Sequence, residues 1–77
     1  VYLSTGAIEG AIDVTKKMIL ANPKIALFHF NLGYYYEQQG KFSEAMAAYN
    51  ESKKLNPNNE ALDYQIKNLK KLTTTTQ

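Results

Sequence analysis

Two stretches decide the fold of this chain: HFNLGYYY at residues 29–36 and AMAAY at residues 45–49. Each places a small residue and a tyrosine on one face at helical spacing. Small residues let two antiparallel helices approach closely, and the tyrosine rings fill the space around that contact. We therefore predict a closely packed pair of helices at residues 23–39 and 42–55.

The chain matches itself when it is shifted by about 34 residues, the period of a helix-turn-helix repeat. Like residues then coincide in pairs: Tyr2 with Tyr36, Gly6 with Gly40, Ile8 with Phe42, Ala11 with Ala45, and Asn22-Pro23 with Asn56-Pro57. Glycine and proline are the strongest punctuators of local structure, so their recurrence in register indicates a repeated helical unit.

The punctuating residues also predict where helices begin and end. The Asn-Pro pairs at residues 22–23 and 56–57 are expected to supply an N-cap followed by a proline at the first helical position. Gly6 and Gly40 are expected to close the preceding helices in the left-handed conformation. Ser43 is expected to cap the helix that follows Gly40.

These signals predict an all-α fold of antiparallel helix pairs, stacked into the start of a right-handed superhelix. The predicted segments are the tail of a helix at residues 1–5, helices at 8–21, 23–39, 42–55 and 58–72, and a disordered polar tail at 73–77.

The chain resembles the tetratricopeptide-repeat family in the pattern His29-x-x-Leu32-Gly33-x-x-Tyr36, followed by Ala45-x-x-x-Tyr49 and Pro57. His29 stands where the family usually has tryptophan, and Tyr49 where it usually has phenylalanine. The resemblance implies an α-solenoid with one complete repeat at residues 26–59. Residues 1–25 resemble a partial preceding repeat that lacks most of its first helix.

The last predicted helix departs from the family pattern. Lys67 and Lys70 stand where the family has a small residue and an aromatic that pack against the next helix. A lysine cannot be buried there unpaired, so no further repeat is expected to stack. The residues of this helix that can face inward recur at helical spacing: Leu62, Ile66 and Leu69. We therefore predict a C-terminal capping helix at residues 60–72.

The incomplete first repeat is expected to leave a hydrophobic face uncovered. Four residues are predicted to lack a full set of neighbours: Tyr2, Ile8, Ile12 and Ile19. Arrays of this kind usually need about three repeats to be stable. Two alternatives cover the face: upstream residues of a longer protein, of which this chain is then a C-terminal fragment, or self-association with a second copy.

The resemblance further implies a concave groove, lined by the leading helices of successive repeats, that binds a protein or peptide partner. It assigns nine residues to this groove: Leu27, Phe30, Asn31, Tyr34, Glu37, Ala61, Tyr64, Gln65 and Asn68. Aromatic rings would form its floor, and amides would bond to a peptide backbone. The alternative is that these aromatics pack only against neighbouring helices. Ala61 and Gln65 replace the basic residues that a carboxylate clamp needs, so a chaperone-tail clamp is not expected.

The composition argues against a catalytic, cofactor or metal site in this chain. The chain has no cysteine and one histidine, His29, and its carboxylates are scattered, so we expect no catalytic site, cofactor or metal. The alternative function is an accessory or oligomerisation tail of a larger enzyme, for example a bacterial hydrolase.

Nucleic acid and membranes are also weak candidates as partners. The formal net charge is only +2, and no apolar run approaches the length of a membrane span. Nucleic-acid binding is an alternative because five lysines can form a basic edge: Lys53, Lys54, Lys67, Lys70 and Lys71. It is disfavoured because the chain has no arginine for bidentate contacts.

Overall fold

The computed structural model describes residues 5–74 of the chain, and all regular secondary structure in that part is α-helical. The four helices are α1 at Thr5–Ala21, α2 at Ala26–Gln38, α3 at Phe42–Leu55 and α4 at Glu60–Thr74. Each packs against the next, and the contact between α2 and α3 is the most extensive. The predicted all-α fold of antiparallel helix pairs is confirmed.

The first Asn-Pro pair does not begin a helix, which corrects the prediction. Pro23 lies in the turn between α1 and α2, and the N-cap of α2 is Ile25, with no side-chain cap. The Asn22 backbone N–H instead donates to the Met18 carbonyl oxygen, 2.9 Å away, and closes α1. A histidine on α2 holds the turn, because its Nε2 lies 2.9 Å from the Pro23 carbonyl oxygen.

The second Asn-Pro pair also forms a turn. Asn56 is the C-cap of α3, and its Oδ1 accepts a 3.4 Å hydrogen bond from the Asn58 backbone N–H. The side chain that caps α4 is Asn59, whose Oδ1 accepts from the Leu62 N–H at 3.2 Å. The N-cap therefore lies three residues after the predicted position, because Asn56-Pro57 is needed to reverse the chain.

Of the predicted helix ends at glycine, one is correct and one is wrong. Gly40 has a positive φ of 76° and ends the segment after α2 in the left-handed conformation, as predicted. Gly6 lies inside α1, so the prediction that it closes a helix is wrong. Ser43 lies in the first turn of α3, whose N-cap is Lys41 without a side-chain bond, so the predicted cap is also wrong.

The ends of the chain differ in part from the prediction. α4 continues to Thr74, so the disordered tail predicted at residues 73–77 is wrong for its first two residues. Thr5 belongs to α1 and does not end an earlier helix. Residues 1–4 and 75–77, including Tyr2, lie outside the described part, and so do the predictions for them.

A hydrophobic cluster joins α3 to α4. Its buried members are Ala45, Tyr49, Leu62, Ile66 and Leu69. Four partly buried side chains pack around it: Phe30, Tyr36, Phe42 and Met46. The three apolar residues predicted to face inward from the last helix are all in this cluster.

The two central helices approach each other closely at Gly33. A Cβ atom at this position would lie 2.6 Å from both Cδ1 and Cε1 of Tyr49, and 3.1 Å from the Ala45 carbonyl oxygen. Cβ atoms in real structures essentially never come within 3.0 Å of a non-bonded heavy atom of another residue. Because Gly33 has no side chain, the ring of Tyr49 on α3 can pack directly against the backbone of α2.

The inner face of α1 is better covered than predicted. Ile8 and Ile12 are both buried, and Ile19 is half-buried, because α2 packs against this side of the helix. The prediction that these residues lack neighbours is wrong for the first two. The exposed hydrophobic residues of α1 are others, among them Val14 and Met18.

Substitution of Gly33 tests the close approach. We expect Gly33→Ala to lower the free energy of unfolding by about 2 kcal/mol, because the added methyl group overpacks the core. The melting temperature should fall by roughly 10 °C for a domain of this size. Gly6→Ala on α1 is the matched control, since a Cβ there meets nothing within 4 Å.

The control should be neutral or gain up to about 1 kcal/mol, because alanine favours the helix. Thermal and urea unfolding followed by circular dichroism measure both effects. Equal effects of the two substitutions would contradict the assigned contact.

Candidate functional site

The helices α2 and α4 carry large hydrophobic side chains that the core does not take up. Leu27 is 58 % exposed, Tyr34 is 45 % exposed and Tyr64 is 64 % exposed. Singly exposed hydrophobic residues are normal on a protein surface, but a group of them marks an interaction site. All three are among the residues assigned to the groove from the sequence.

The two helices also border a common depression. Glu37 of α2 and Asn68 of α4 line a cavity of about 340 Å³, together with Lys71 and Leu72. The structure thus brings two of the predicted groove residues from different helices to one place. Sequence reasoning missed Lys71, although the repeat shift makes it the counterpart of Glu37.

Phe30 connects this surface to the core. Its ring is half-buried, and its centroid lies 5.8 Å from that of Tyr49 at an interplanar angle of 59°. It therefore has a packing role, which was one of the two alternatives for the aromatic residues. The neighbouring rings of Tyr34 and Tyr35 meet edge to face, with centroids 6.2 Å apart.

A hydrogen bond links the core to the carboxylate of Glu37. The hydroxyl of Tyr49, a fully buried residue, donates to Glu37 Oε1 over 2.7 Å. Burial raises the pKa of this phenol well above its ordinary value, and the hydrogen bond and negative charge of Glu37 add to the rise. The tyrosine therefore stays protonated and holds the carboxylate in one position beside the cavity.

The other predicted groove residues contribute polar and small side chains. Asn31, Gln65 and Asn68 are half-buried, and Ala61 is exposed. Half-buried amides keep both donor and acceptor atoms near the surface, where they suit the polar groups of a peptide backbone.

Among residues 5–74, no group of three His, Asp or Glu side chains is placed to hold a metal ion. His29 bonds to the carbonyl of the turn before α2, and Asp63 forms an ion pair with Lys53. Both side chains therefore have structural partners. None of the described helices is long and apolar enough to cross a membrane.

The comparison with protein families matches the central helix pair. Residues 26–59, which span α2, α3 and the turn after them, match the family model of the tetratricopeptide repeat. This segment is a tetratricopeptide repeat. No curated protein matches the chain. Repeats of this family are in general non-catalytic modules of protein–protein interaction.

The tetratricopeptide repeat departs from its family pattern at two positions. At each of them, a polar atom of the replacing side chain makes a hydrogen bond. His29, in the usual tryptophan position, bonds to the turn at Pro23. Tyr49, in the usual phenylalanine position, adds the hydroxyl that reaches Glu37. A second bond between the helices joins Ser52 Oγ to the Ala26 carbonyl oxygen over 2.9 Å.

Removal of the Tyr49 hydroxyl tests the link to Glu37. We expect Tyr49→Phe to lower the free energy of unfolding by about 1–2 kcal/mol at neutral pH, since it deletes a buried hydrogen bond to a charged acceptor. Tyr35→Phe, which removes a hydroxyl from a half-buried ring, is the control and should change it by less than about 0.5 kcal/mol.

The difference in stability between the wild-type chain and Tyr49→Phe should depend on pH. Unfolded Tyr49 loses its proton near its ordinary pKa of 10.0, whereas the folded protein retains it. The folded state then binds more protons, so its stability falls as pH rises above that value. Urea unfolding should show that the advantage over Tyr49→Phe is full below pH 10 and shrinks above it. A constant difference across this range would contradict the assignment.

Proposed function

We propose that this chain holds a peptide segment of a partner protein in a groove between α2, which belongs to the tetratricopeptide repeat, and α4. The proposed groove consists of Leu27, Phe30, Asn31, Tyr34, Glu37, Ala61, Tyr64, Gln65 and Asn68. The observation that carries the proposal is the exposure of Leu27, Tyr34 and Tyr64 on two helices that border a common cavity.

The exposed side chains are of the type that contributes most to protein interfaces. Tyrosine is enriched at interfaces because its ring buries a large area while its hydroxyl stays hydrogen-bonded. Tyr34 and Tyr64 lie on different helices, so a segment that contacts both must cross from α2 to α4. Phe30 supports this surface from below, since it packs on the buried ring of Tyr49.

The polar residues of the groove are suited to a peptide backbone. Asn31, Gln65 and Asn68 each offer an amide donor and acceptor at the surface. Glu37 offers a carboxylate that the Tyr49 hydroxyl already holds in place. A side chain fixed before binding loses less conformational entropy when the partner arrives, so this acceptor favours affinity.

The groove can be tested with peptides selected by display on the immobilised chain. We expect the double variant Tyr34→Ala/Tyr64→Ala to bind a selected peptide at least about tenfold more weakly, because it loses two aromatic anchors. Isothermal titration calorimetry measures the affinity, and circular dichroism verifies that the variant is folded. Leu20→Ala is the control, since this exposed residue lies on α1. Unchanged affinity of the double variant would overturn the groove.

We also propose that the outer face of α1 associates with a second copy of the chain. This face carries five exposed residues at helical spacing: Ala7, Gly10, Val14, Met18 and Ala21. An antiparallel pairing of two copies centred on Val14 would place Gly10 of one opposite Met18 of the other. A Cβ at Gly10 would meet nothing within 4 Å, so there is open space for the methionine.

Light scattering tests this pairing. We expect the chain to form a dimer whose melting temperature rises with concentration, since association stabilises the folded state by mass action. Val14→Glu should yield a monomer, because the pairing would bury an unpaired charge. Leu20→Glu places the same charge on another side of α1 and should leave the dimer intact. A wild-type monomer at every concentration would contradict the proposal.

A further inference from the structure

The charged residues of α1 are separated by sign along the helix. Both acidic residues, Glu9 and Asp13, precede both basic residues, Lys16 and Lys17, and all four are exposed. A helix charged in this order is complementary to an antiparallel copy of itself, because the acidic residues of one copy then approach the basic residues of the other. A parallel copy would place like charges side by side.

Two of these residues, Asp13 and Lys17, flank the outer face of α1. At 3.6 residues per turn they lie on the same side of that face, about 100° and about 60° around the helix from Val14. Within residues 5–74, neither side chain forms an ion pair or a side-chain hydrogen bond. Lys16 differs, since its Nζ lies 5.9 Å from the centroid of the Tyr36 ring on α2.

The antiparallel pairing centred on Val14 brings Asp13 of one copy near Lys17 of the other. Asp13 precedes the centre by one residue and Lys17 follows it by three, so across the pair they are displaced by two residues. This displacement is only about 3 Å along the helix axis, at a rise of about 1.5 Å per residue. In a two-fold interface each contact occurs twice, so two such ion pairs form in the dimer.

On the basis of the association proposed for the outer face of α1, we infer that reciprocal ion pairs between Asp13 and Lys17 select both the partner and its direction. The small and aliphatic residues of the face supply the contact area, which has no preferred direction of its own. The flanking charges then favour the antiparallel arrangement, as charges beside a coiled-coil seam set partner choice and orientation.

A second copy of this chain fits the surface better than a partner of one charge. The open space at Gly10 lies opposite Met18 in the antiparallel pairing, so the two surfaces are complementary in shape. A uniformly acidic segment would pair with Lys17 and repel Asp13, and a uniformly basic segment would do the reverse. A second copy of α1 pairs both charges.

Charge reversal followed by sedimentation equilibrium tests the ion pairs. Asp13→Lys and Lys17→Asp should each raise the dissociation constant of the dimer at least about tenfold, because each turns two attractive contacts into repulsive ones. The double variant Asp13→Lys/Lys17→Asp restores opposite charges at both contacts and should return to within about threefold of the wild type. Circular dichroism verifies that every variant is folded.

An equal mixture of the two single variants separates contacts between copies from contacts within one helix. Both contacts join opposite charges in the mixed dimer, so the mixture should dimerise at least as tightly as the wild type. A spacing of four residues also permits an ion pair within α1. That pair is lost in each single variant, and mixing them would not restore it.

Matched substitutions on α4 control for general attraction between oppositely altered chains. Glu60→Lys and Lys67→Asp change the net charge by the same amounts as the α1 variants, at two exposed positions. Alone or mixed, they should dimerise within about twofold of the wild type, because exposed charges away from a contact contribute little.

Cysteine cross-linking measures the direction of the pairing, since the chain has no cysteine of its own. A mixture of Ala7→Cys and Ala21→Cys should yield a disulfide-linked dimer under mild oxidation, because these positions lie opposite each other. Ala7→Cys alone should not cross-link. The antiparallel pairing separates its two copies by about 21 Å along the axis, and a disulfide spans Cα atoms only about 4–7 Å apart.

Four results would overturn the inference: single variants that dimerise as tightly as the wild type, no association on mixing, an equal gain from mixing the α4 controls, or cross-linking of Ala7→Cys alone. Any of them alongside a wild-type dimer removes the ion pairs and leaves the association through α1 standing. A wild-type monomer at every concentration removes both. Peptide binding tests the groove separately, so none of these results bears on it.

Discussion

The ring of Tyr49 lies against the backbone of α2 at Gly33, so close that one added carbon atom would stand 2.6 Å from two ring atoms. This contact sets the separation of α2 and α3, the most extensively packed pair of helices. The same ring packs on Phe30 and belongs to the cluster that buries Leu62 and Leu69 of α4. This one side chain therefore contacts α2 and packs with residues of α4, the two helices that border the proposed groove.

The hydroxyl of Tyr49 extends this dependence to the surface. It crosses from the core to Glu37, whose carboxylate borders the cavity between α2 and α4. A direct hydrogen bond thus joins the packed core to a residue of the proposed groove. The family's usual phenylalanine would fill the same space and leave the carboxylate unbound.

The proposed interaction surfaces lie on different helices and differ in chemistry. The groove between α2 and α4 is aromatic and amide-rich, and the outer face of α1 is made of small and aliphatic residues. A further cavity, between α3 and α4, is lined by Lys53, Lys67 and Lys70 together with Asp63.

The all-α fold could be predicted from the sequence, and so could the residues of α4 that face inward. Both predictions depend only on the local spacing of apolar residues. The start of α2 could not, since Asn22-Pro23 suits a helix N-terminus and a turn equally well by local rules. The bond between His29 and the turn decides between them, and it becomes visible only in three dimensions. Ile8 and Ile12 were expected to lack neighbours because the repeat before them is incomplete, yet both are buried in the structure.

The family pattern led to the residues of the proposed groove, but it could not predict the contacts that support them. Tyr49 and Glu37 lie on different helices, and no spacing rule relates a hydroxyl on one to a carboxylate on the other. Likewise, the pairing of Lys53 with Asp63 depends on how α4 crosses α3, which periodicity does not specify.

The central claim is that a partner peptide lies across α2 and α4. The most direct measurement is a map of amide chemical-shift changes in the ¹⁵N-labelled chain when a display-selected peptide is added. The account predicts the largest changes at Tyr34, Glu37, Tyr64 and Asn68, with small changes on the outer face of α1. Changes concentrated on α1 or on α3, with the groove signals unmoved, would contradict it.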